Sequence, residues 1–241
     1  MREELKVAGI VLGGQEYKEK DMLITIFTVE IGKISASMRG VKLSKAKLKI
    51  FAQSFCMAEF VLSKTGQFYT IISAQLIDDF LDITKDMDAY CIGNMILEID
   101  NLMMKPGIVS QQLFLTTIKS LRAIVHEKIK PKMVASKFLL EVMNTSGNGW
   151  QFTTCSSCGS KYISDVFLDL LNGNLCCRNC ASYESVALSR SEFNGLKLIN
   201  NCSVDSLKTL KLKDGLVSSC FNLLVNNFQV QNEYKIKSLI L

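Results

Sequence analysis

The chain has 241 residues, of which 48% are hydrophobic and 21% charged, and its formal net charge is +5. This balance is typical of a globular protein of one to three domains and excludes a chain that is disordered for lack of apolar residues. No apolar run approaches the roughly 18–20 residues that a membrane-spanning helix needs, and the first residues lack the apolar stretch of a secretory signal. With nine cysteines and no such signal, we expect a cytoplasmic protein with reduced or metal-bound thiols.

The first 80 residues are predicted to form β structure. Five runs rich in Val, Ile, Thr, Phe and Tyr are separated by glycine-containing turns, as expected of short strands. They cover residues 7–12, 22–29, 34–41, 55–62 and 68–77. In the second run apolar residues occupy both alternating sets of positions, so both faces of that strand are predicted to be covered. Five strands with a longer link between the third and fourth favour an OB-fold barrel, and an SH3-like barrel is the competing assignment.

A basic segment follows the third predicted strand. No acidic residue occurs between Ile31 and Ala58. The cations of this stretch are Lys33, Arg39, Lys42, Lys45, Lys47 and Lys49. Positive charge on a loop of a small barrel predicts contacts to the phosphates of a nucleic acid, although a solvated basic loop is the alternative. Bases could stack on neighbouring aromatic rings, for which the candidates are Phe51, Phe55, Phe60 and Tyr69, although alternation predicts that at least half of these rings point into the core.

From about Asp86 the apolar residues recur every three or four positions, which predicts helices. The predicted ranges are 110–128, 132–144, 203–211 and 216–228. Ser110 is a plausible N-cap, and Ser189 with Glu192 forms a capping box before a further helix. A second group of cations lies at the end of the first of these helices: Lys119, Arg122, Lys128, Lys130 and Lys132. It can serve as a binding surface or simply complement the helix dipole.

Four cysteines carry the most specific pattern in the chain. Cys155, Cys158, Cys177 and Cys180 form two C-x2-C pairs, which is the spacing of a structural zinc site. Four thiolates close the tetrahedral coordination of zinc, so such a site stabilises structure and does not activate water. Cysteines without metal, redox pairs and disulfides are the alternatives, and Cys176 could replace Cys177 as a ligand. The α+β chain is thus predicted to contain a barrel domain at residues 1–80 and a helical domain at 81–241, interrupted by a zinc module at about 150–185.

No catalytic constellation emerges from the residues. The chain has a single histidine, His126, and lacks the Gly-x4-Gly-Lys-Ser/Thr motif that cradles the phosphates of ATP. A closed zinc site also disfavours a metal-dependent hydrolase. We therefore predict a binding protein and not an enzyme.

Several short motifs follow one another along the chain. They are Tyr17-x-Glu19-x-Asp21, Thr25-x-Phe27-Thr28, Gly32-Lys33 and Arg39-Gly40, followed by the cysteine module with Gly173 before its second pair. Their order resembles the bacterial RecO family of DNA repair proteins. The resemblance covers essentially the whole chain, and we interpret Tyr17 and Asp21 as structural residues of the barrel. The chain departs from the family at Asn174, where a second glycine is common, and at Cys176, an additional thiol.

The resemblance implies an N-terminal OB-fold and a helical domain that carries a zinc-ribbon-like module. It implies a recombination mediator at the bacterial nucleoid that binds single- and double-stranded DNA and anneals complementary strands. Such proteins act with RecR to load the RecA recombinase onto DNA covered by single-stranded DNA-binding protein (SSB). They also contact the C-terminal tail of SSB through a basic, apolar surface of the helical domain. An adaptor that docks this tail and binds nucleic acid only weakly is the rival interpretation.

Overall fold

A computed structural model describes residues 3–43, 48–162 and 165–240 of the chain. It shows a mixed α+β protein whose first part is a five-stranded sheet and whose later part is mainly helical, as predicted. The internal contacts divide the chain into two compact units, Met1–Leu115 and Thr116–Leu241. The first helix thereby groups with the barrel, and the predicted domains 1–80 and 81–241 stay a prediction.

The first unit is built on a closed barrel of five strands. The strands are β1 (Glu3–Tyr17), β2 (Asp21–Thr28), β3 (Gly32–Met38), β4 (Cys56–Thr65) and β5 (Phe68–Asp79). Their order around the barrel is β1-β2-β3-β5-β4. The long β1 pairs antiparallel with both β2 and β4, and the barrel closes through a short parallel contact between β3 and β5. The five predicted strands are confirmed, each somewhat longer or shorter than its apolar run.

Alternation of apolar and polar residues explains why these segments form barrel strands. In β3 the buried Ile34, Ala36 and Met38 alternate with Lys33 and Ser35, which lie on the outer face. The buried Cys56, Ala58, Phe60 and Leu62 alternate with half-buried residues along β4. Because successive side chains of a strand point to opposite faces, one set fills the barrel and the other faces outward.

The end of β2 is buried on both faces, as its sequence predicts. Ile26 and Phe27 are neighbours in sequence and both are fully buried. The ring of Phe27 packs edge-on against Phe114, with 5.3 Å between the ring centroids. Thr28, also fully buried, closes the following turn by donating its hydroxyl to the carbonyl of Gly32 at 2.8 Å. The outer face is therefore covered within the first unit at the end of β2, around Phe27.

Gly32 leaves no room for a side chain, and replacing it is expected to destabilise the first unit. Its φ is +70°, and a Cβ would lie 2.1 Å from the backbone oxygen of Ile108. Gly32→Ala should therefore cost at least about 3 kcal/mol of unfolding free energy, because backbone has to move. Urea unfolding followed by far-UV circular dichroism measures the loss. The fluorescence of Trp150, the single tryptophan, reports the second unit separately.

Gly66→Ala is the matched control for this prediction. Gly66 also has a positive φ, +61°, but no atom lies within 4 Å of the position of its Cβ. Only the left-handed backbone is then strained, at a cost of about 1–2 kcal/mol. Equal losses for the two variants would show that the contact with Ile108 does not matter.

Five helices follow the barrel strands, and polar side chains cap the free N–H groups at the start of three of them. They are α1 (Met87–Met103), α2 (Gln111–Val125), α3 (Pro131–Thr145), α4 (Arg190–Asn201) and α5 (Asp214–Gln231). Asp86 accepts the N–H of Ala89 at 2.7 Å at the start of α1, and Ser110 caps α2 as predicted. The capping box of Ser189 and Glu192 is present at α4. The predicted helix at 203–211 is a shorter 3-10 helix, Val204–Thr209.

A small sheet precedes α4 in the second unit. It contains β6 (Val166–Asp169), β7 (Asn174–Cys177) and β8 (Val186–Leu188), in the order β7-β6-β8. Strands of three or four residues bury little apolar surface, so such a sheet needs further stabilisation. Within the described ranges, no helix is both long and apolar enough to span a membrane.

Candidate nucleic-acid groove and cysteine cluster

An open groove of about 880 Å³ lies on the outer surface of the barrel. Its wall comes from the β1–β2 turn, the outer face of β3 and the β4–β5 turn. The lining includes three aromatic residues and three cations: Tyr17, Phe68, Tyr69, Lys18, Lys33 and Arg39. Asp21 is the one acidic residue of the lining. The groove thus combines flat apolar surfaces with net positive charge.

The aromatic rings of the groove are available to a ligand. The side chain of Phe68 is 80% exposed and that of Tyr17 is 44% exposed, although aromatic residues are usually buried. The ammonium group of Lys18 lies 5.3 Å from the centroid of the Tyr17 ring. A cation beside an exposed ring can contact a phosphate while a base stacks on the ring, which is how single-stranded nucleic acids are bound without regard to sequence.

Of the described cations of the basic segment, Lys33 and Arg39 line the groove and Lys42 and Lys49 do not. Arg39 is exposed and lines the groove, and no residue in the described ranges forms an ion pair with it. Lys42 forms an ion pair with Glu16 at 2.8 Å, and its ammonium lowers the pKa of the Glu16 carboxyl. Lys49 is exposed in the 3-10 helix before β4. The predicted contacts at Lys45 and Lys47 lie outside the described residues.

Lys33 has a structural partner as well as a place in the groove. Its ammonium group donates to the backbone carbonyl of Asn101 near the end of α1, and it lies 3.2 Å from the amide oxygen of that residue. Burial lowers the pKa of the ammonium group. The backbone carbonyl of Lys33 accepts the N–H of Gly107 at 3.2 Å. These bonds hold Lys33 against the segment that follows α1, so it is less available to phosphates than Arg39.

Tyr17 and Phe68 were missed as groove aromatics in the sequence, but the prediction that at least half of the four candidates point into the core is confirmed. Phe55 and Phe60 are 3% and 0% exposed, so they belong to the core and cannot stack with a base. Phe51 is half-buried and packs against the barrel core. Of the four candidates, Tyr69 alone lines the groove. The signal for Phe68 was its place as the first residue of the fifth predicted strand, 68–77.

The four predicted metal ligands lie together in the second unit. The Sγ atoms of Cys155, Cys158, Cys177 and Cys180 are all within 4.8 Å of one another. The Sγ atoms of Cys158 and Cys177 are 3.8 Å apart. A tetrahedron with metal–sulfur bonds of about 2.3 Å has edges of about 3.8 Å, so these four atoms fit one zinc ion.

Backbone hydrogen bonds shape the two cysteine turns. In the first turn the N–H of Gly159 donates to the carbonyl of Cys155 at 2.9 Å, and the φ of Gly159 is +72°. In the second turn the N–H of Cys180 donates to the carbonyl of Cys177 at 3.0 Å. The N–H of Cys177 also donates to the Sγ of Cys155 at 3.3 Å, which joins the two turns. A left-handed residue after the first pair is what glycine accommodates best.

The electrostatics of the cluster favour a bound cation. Burial opposes ionisation of Cys155, but backbone N–H groups of Cys158 and Cys177 donate to its sulfur and lower its pKa to about 6. The neighbouring sulfurs of Cys158 and Cys177 raise the pKa of Cys180 to about 12. One sulfur is thus ready as a thiolate while another holds its proton. A metal ion would relieve the repulsion and displace the remaining protons.

The same geometry bears on the disulfide alternative and on the choice between Cys176 and Cys177 as a metal ligand. All nine cysteines are free in this structure. Cys176 is fully buried on β7 and is not part of the cluster, whereas its neighbour Cys177 is. The cluster can therefore hold a metal ion through Cys177, and the identity of the metal stays a prediction.

The second predicted basic cluster is partly neutralised. Lys119 forms an ion pair with Asp205 at 3.2 Å, and Lys130 forms one with Asp214. Both cations thereby join α2 and the loop after it to later parts of the second unit. Exposed ion pairs contribute little to stability, but they reduce the positive charge that a partner would meet. This weakens the case for a binding surface here.

Comparison with protein families assigns both parts of the chain. Residues 1–80 match the model described as "Recombination protein O N terminal". Residues 84–240 match the model described as "Recombination protein O C terminal". The two matches lie in order along the chain and together cover almost all of it.

Curated relatives named DNA repair protein RecO are similar to the chain over most of its length. The protein of Clostridium novyi is 26% identical over 219 residues, which are 91% of this chain and 86% of the relative. That of Clostridium perfringens is 24% identical over 97% of this chain and 94% of the relative. That of Acetivibrio thermocellus is 29% identical over 78% of this chain and 75% of the relative.

Proposed function

The chain belongs to the RecO family of DNA repair and recombination proteins, and we propose that it is a recombination mediator that binds DNA through the barrel groove. In this proposal it binds single- and double-stranded DNA, anneals complementary strands, and helps to load RecA onto SSB-coated DNA together with RecR. It acts by binding and not as an enzyme. The groove lined by exposed aromatic rings and cations is the observation that carries the proposal.

The barrel is an OB-fold in this proposal. Its strand order, β1-β2-β3-β5-β4, includes a long first strand that pairs on both sides and a parallel contact between β3 and β5. OB-folds bind oligonucleotides on the face of strands 2 and 3 and on the β1–β2 and β4–β5 loops. The groove lies on these same elements. This agreement supports the OB-fold over the SH3-like alternative.

Annealing follows from binding without acid–base chemistry. Cations such as Arg39 and Lys18 neutralise phosphates, which reduces the repulsion between two strands and raises their local concentration. Rings such as Phe68 stack with unpaired bases and hold them away from intrastrand structure. Base pairing then supplies the driving force. Since neither type of contact reads a base edge, binding should be salt-sensitive and nearly independent of sequence.

The cysteine cluster holds a structural zinc ion in this proposal, and its surroundings form a zinc-ribbon-like module. Cys155, Cys158, Cys177 and Cys180 would be its ligands, and the ion would tie the short sheet β7-β6-β8 to the two turns. Zinc supplies only cross-linking in a site closed by four thiolates. The hydroxyl of Tyr162 supports the first turn by donating to the carbonyl of Leu175 at 2.9 Å.

Replacing Phe68 should weaken the binding of single strands while leaving the fold intact. Phe68→Ala removes a ring that is 80% exposed, and stacking of a base is worth about 1–3 kcal/mol, so the dissociation constant should rise at least about fivefold. Duplex DNA, whose bases are already stacked, should respond much less. Fluorescence anisotropy with a labelled oligo-dT strand and a labelled duplex measures both constants.

Two variants make this measurement specific. Phe68→Trp keeps a stacking surface and should bind at least as well as the wild type. Tyr183→Ala removes an aromatic ring that is 95% exposed in the second unit, and it should have no effect. Equal losses for Phe68→Ala and Tyr183→Ala would mean that the groove is not where bases stack.

A strand-annealing assay on SSB-coated DNA tests the mediator function as a whole. The full chain should accelerate annealing, and RecR should change its effect on SSB-coated strands. The rival function, an adaptor for the SSB tail, predicts binding to a peptide of that tail but no annealing of bare strands. The ion pairs of Lys119 and Lys130 disfavour the adaptor function, because they neutralise cations that would otherwise bind the tail.

A further inference from the structure

The turn between β1 and β2 is joined to the segment that follows β3 by three contacts. The Oδ1 atom of Asp21 accepts the backbone N–H of Gly40 at 2.8 Å. The carbonyl of Lys20 accepts the N–H of Lys42 at 3.2 Å. The side chains of Lys42 and Glu16 form their ion pair at 2.8 Å. These contacts fix the backbone at the point where the chain leaves β3.

Gly40 has the conformation that brings its N–H to Asp21. Its φ is +64°, in the left-handed region that favours glycine. The carbonyl of Gly40 accepts the N–H of Leu43 at 3.1 Å, which closes a turn directly after Arg39. The position of Arg39 on the groove wall therefore depends on this turn, and the turn depends on the carboxylate of Asp21.

An acidic residue is unexpected in a groove that binds phosphates. Asp21 is half-buried and is the one acid of the lining, so its charge opposes a bound phosphate. The hydrogen bond from the Gly40 N–H to the Asp21 carboxylate explains why this acidic residue is present. We propose that Asp21 is a positioning residue for DNA binding, which holds the turn after β3 so that Arg39 presents its guanidinium group to a phosphate in the groove. This inference rests on the proposed function, because it requires DNA in the groove.

Asp21 could affect DNA binding only through its charge, or by positioning Arg39. The two roles predict opposite changes in affinity for the same substitutions. Asp21→Ala removes a negative charge, so electrostatics alone predicts tighter binding, whereas loss of positioning predicts weaker binding. Asp21→Asn keeps an oxygen that can accept from Gly40 and loses the charge, so positioning predicts binding at least as tight as in the wild type. Asp21→Glu keeps the charge but moves the carboxylate by one methylene group, so positioning predicts weaker binding.

The experiment measures the affinity of the full chain for labelled oligo-dT at several salt concentrations. We expect Asp21→Ala and Asp21→Glu to bind on the order of fivefold more weakly, which is the net value of one ordinary hydrogen bond. Their salt dependence should also fall by about 0.7 in the slope of log K against log salt, the value of one contact with a single strand. Arg39→Ala should weaken binding on the order of tenfold. In the Arg39→Ala background, Asp21→Ala should not weaken binding further, since the positioning effect of Asp21 acts through Arg39.

The outcomes separate this inference from the proposed function. If Arg39→Ala weakens binding but Asp21→Ala binds as tightly as the wild type, or more tightly, the positioning role is wrong and the groove assignment stands. The positioning role is also wrong if Asp21→Asn binds DNA more weakly than Asp21→Glu. It is wrong as well if Asp21→Ala reduces the affinity as much in the Arg39→Ala background as in the wild type. If Arg39→Ala binds like the wild type, both the positioning role and the groove assignment are wrong. If Asp21→Ala lowers the melting temperature, the DNA affinities of Asp21→Asn and Asp21→Glu still test the positioning role, which predicts tighter binding by Asp21→Asn.

Discussion

Reversing two charges of the groove, Lys18→Glu with Arg39→Glu, is expected to abolish most DNA binding. Both cations line the groove, and neither forms an ion pair within the ranges that the structure describes. Reversal both removes two phosphate contacts and adds repulsion, so the dissociation constant should rise by about 100-fold or more at low salt. Strand annealing should be lost in parallel. Fluorescence anisotropy and an annealing assay with complementary strands measure the two effects.

A matched control separates local contacts from net charge. Lys211→Glu with Lys235→Glu changes the net charge by the same amount, and both lysines are exposed in the second unit. A general electrostatic attraction would make the two double variants equally weak. If the contacts are local to the groove, the control should lose much less affinity than the groove variant when both are measured at the same salt concentration. Lys42 is a poorer choice for this test, because it is engaged by Glu16.

Removing two ligands of the cysteine cluster, Cys155→Ser with Cys177→Ser, should abolish zinc binding and unfold the module. Structural zinc contributes about 10–16 kcal/mol of apparent binding energy at pH 7 in small folded modules, which the short sheet cannot replace. Trp150 reports the change, because it is 4% exposed and its indole N–H donates to the carbonyl of Gly173 at 3.0 Å. Its emission should shift to the red, and proteases should cleave between about residues 150 and 185.

The same variant distinguishes a structural metal from cysteines that hold none. Cys91→Ser with Cys202→Ser is the control, since both thiols are half-buried and lie outside the cluster. It should keep one zinc ion per chain in native mass spectrometry. DNA binding through the barrel should survive in both variants. Unchanged Trp150 emission and protease resistance in the ligand variant would mean that the module folds without metal.

Local patterns in the sequence predicted the elements well where one physical effect dominates. The alternation of Ile34, Ala36 and Met38 identifies a strand because every second side chain enters the barrel. The capping box of Ser189 and Glu192 identifies the start of α4 because both groups satisfy free backbone donors. By contrast, α1 is buried around much of its circumference, so its start was predicted only from a general change of periodicity near residue 86.

The composition of the groove could not be predicted, because it depends on contacts between distant residues. Lys18 lies in the β1–β2 turn and Phe68 begins β5, and both line the groove because β5 lies beside β3, a parallel pairing that closes the barrel. Likewise, the partner of Lys33 is Asn101, 68 residues away. The sequence shows that a cation is present, but not whether it already forms a hydrogen bond with a carbonyl group or an ion pair with a carboxylate. The list of predicted DNA contacts was therefore based on charge alone.

Photocrosslinking locates the DNA most directly. A single strand that contains 5-iodo-deoxyuridine is bound to the full chain, irradiated, and its attachment sites are identified by mass spectrometry. If bases stack in the barrel groove, the crosslinks should map to Tyr17, Phe68 or Tyr69, and Phe68→Ala should remove part of them. Crosslinks confined to residues 116–241, with none in the groove, would contradict the assignment of DNA binding to the barrel.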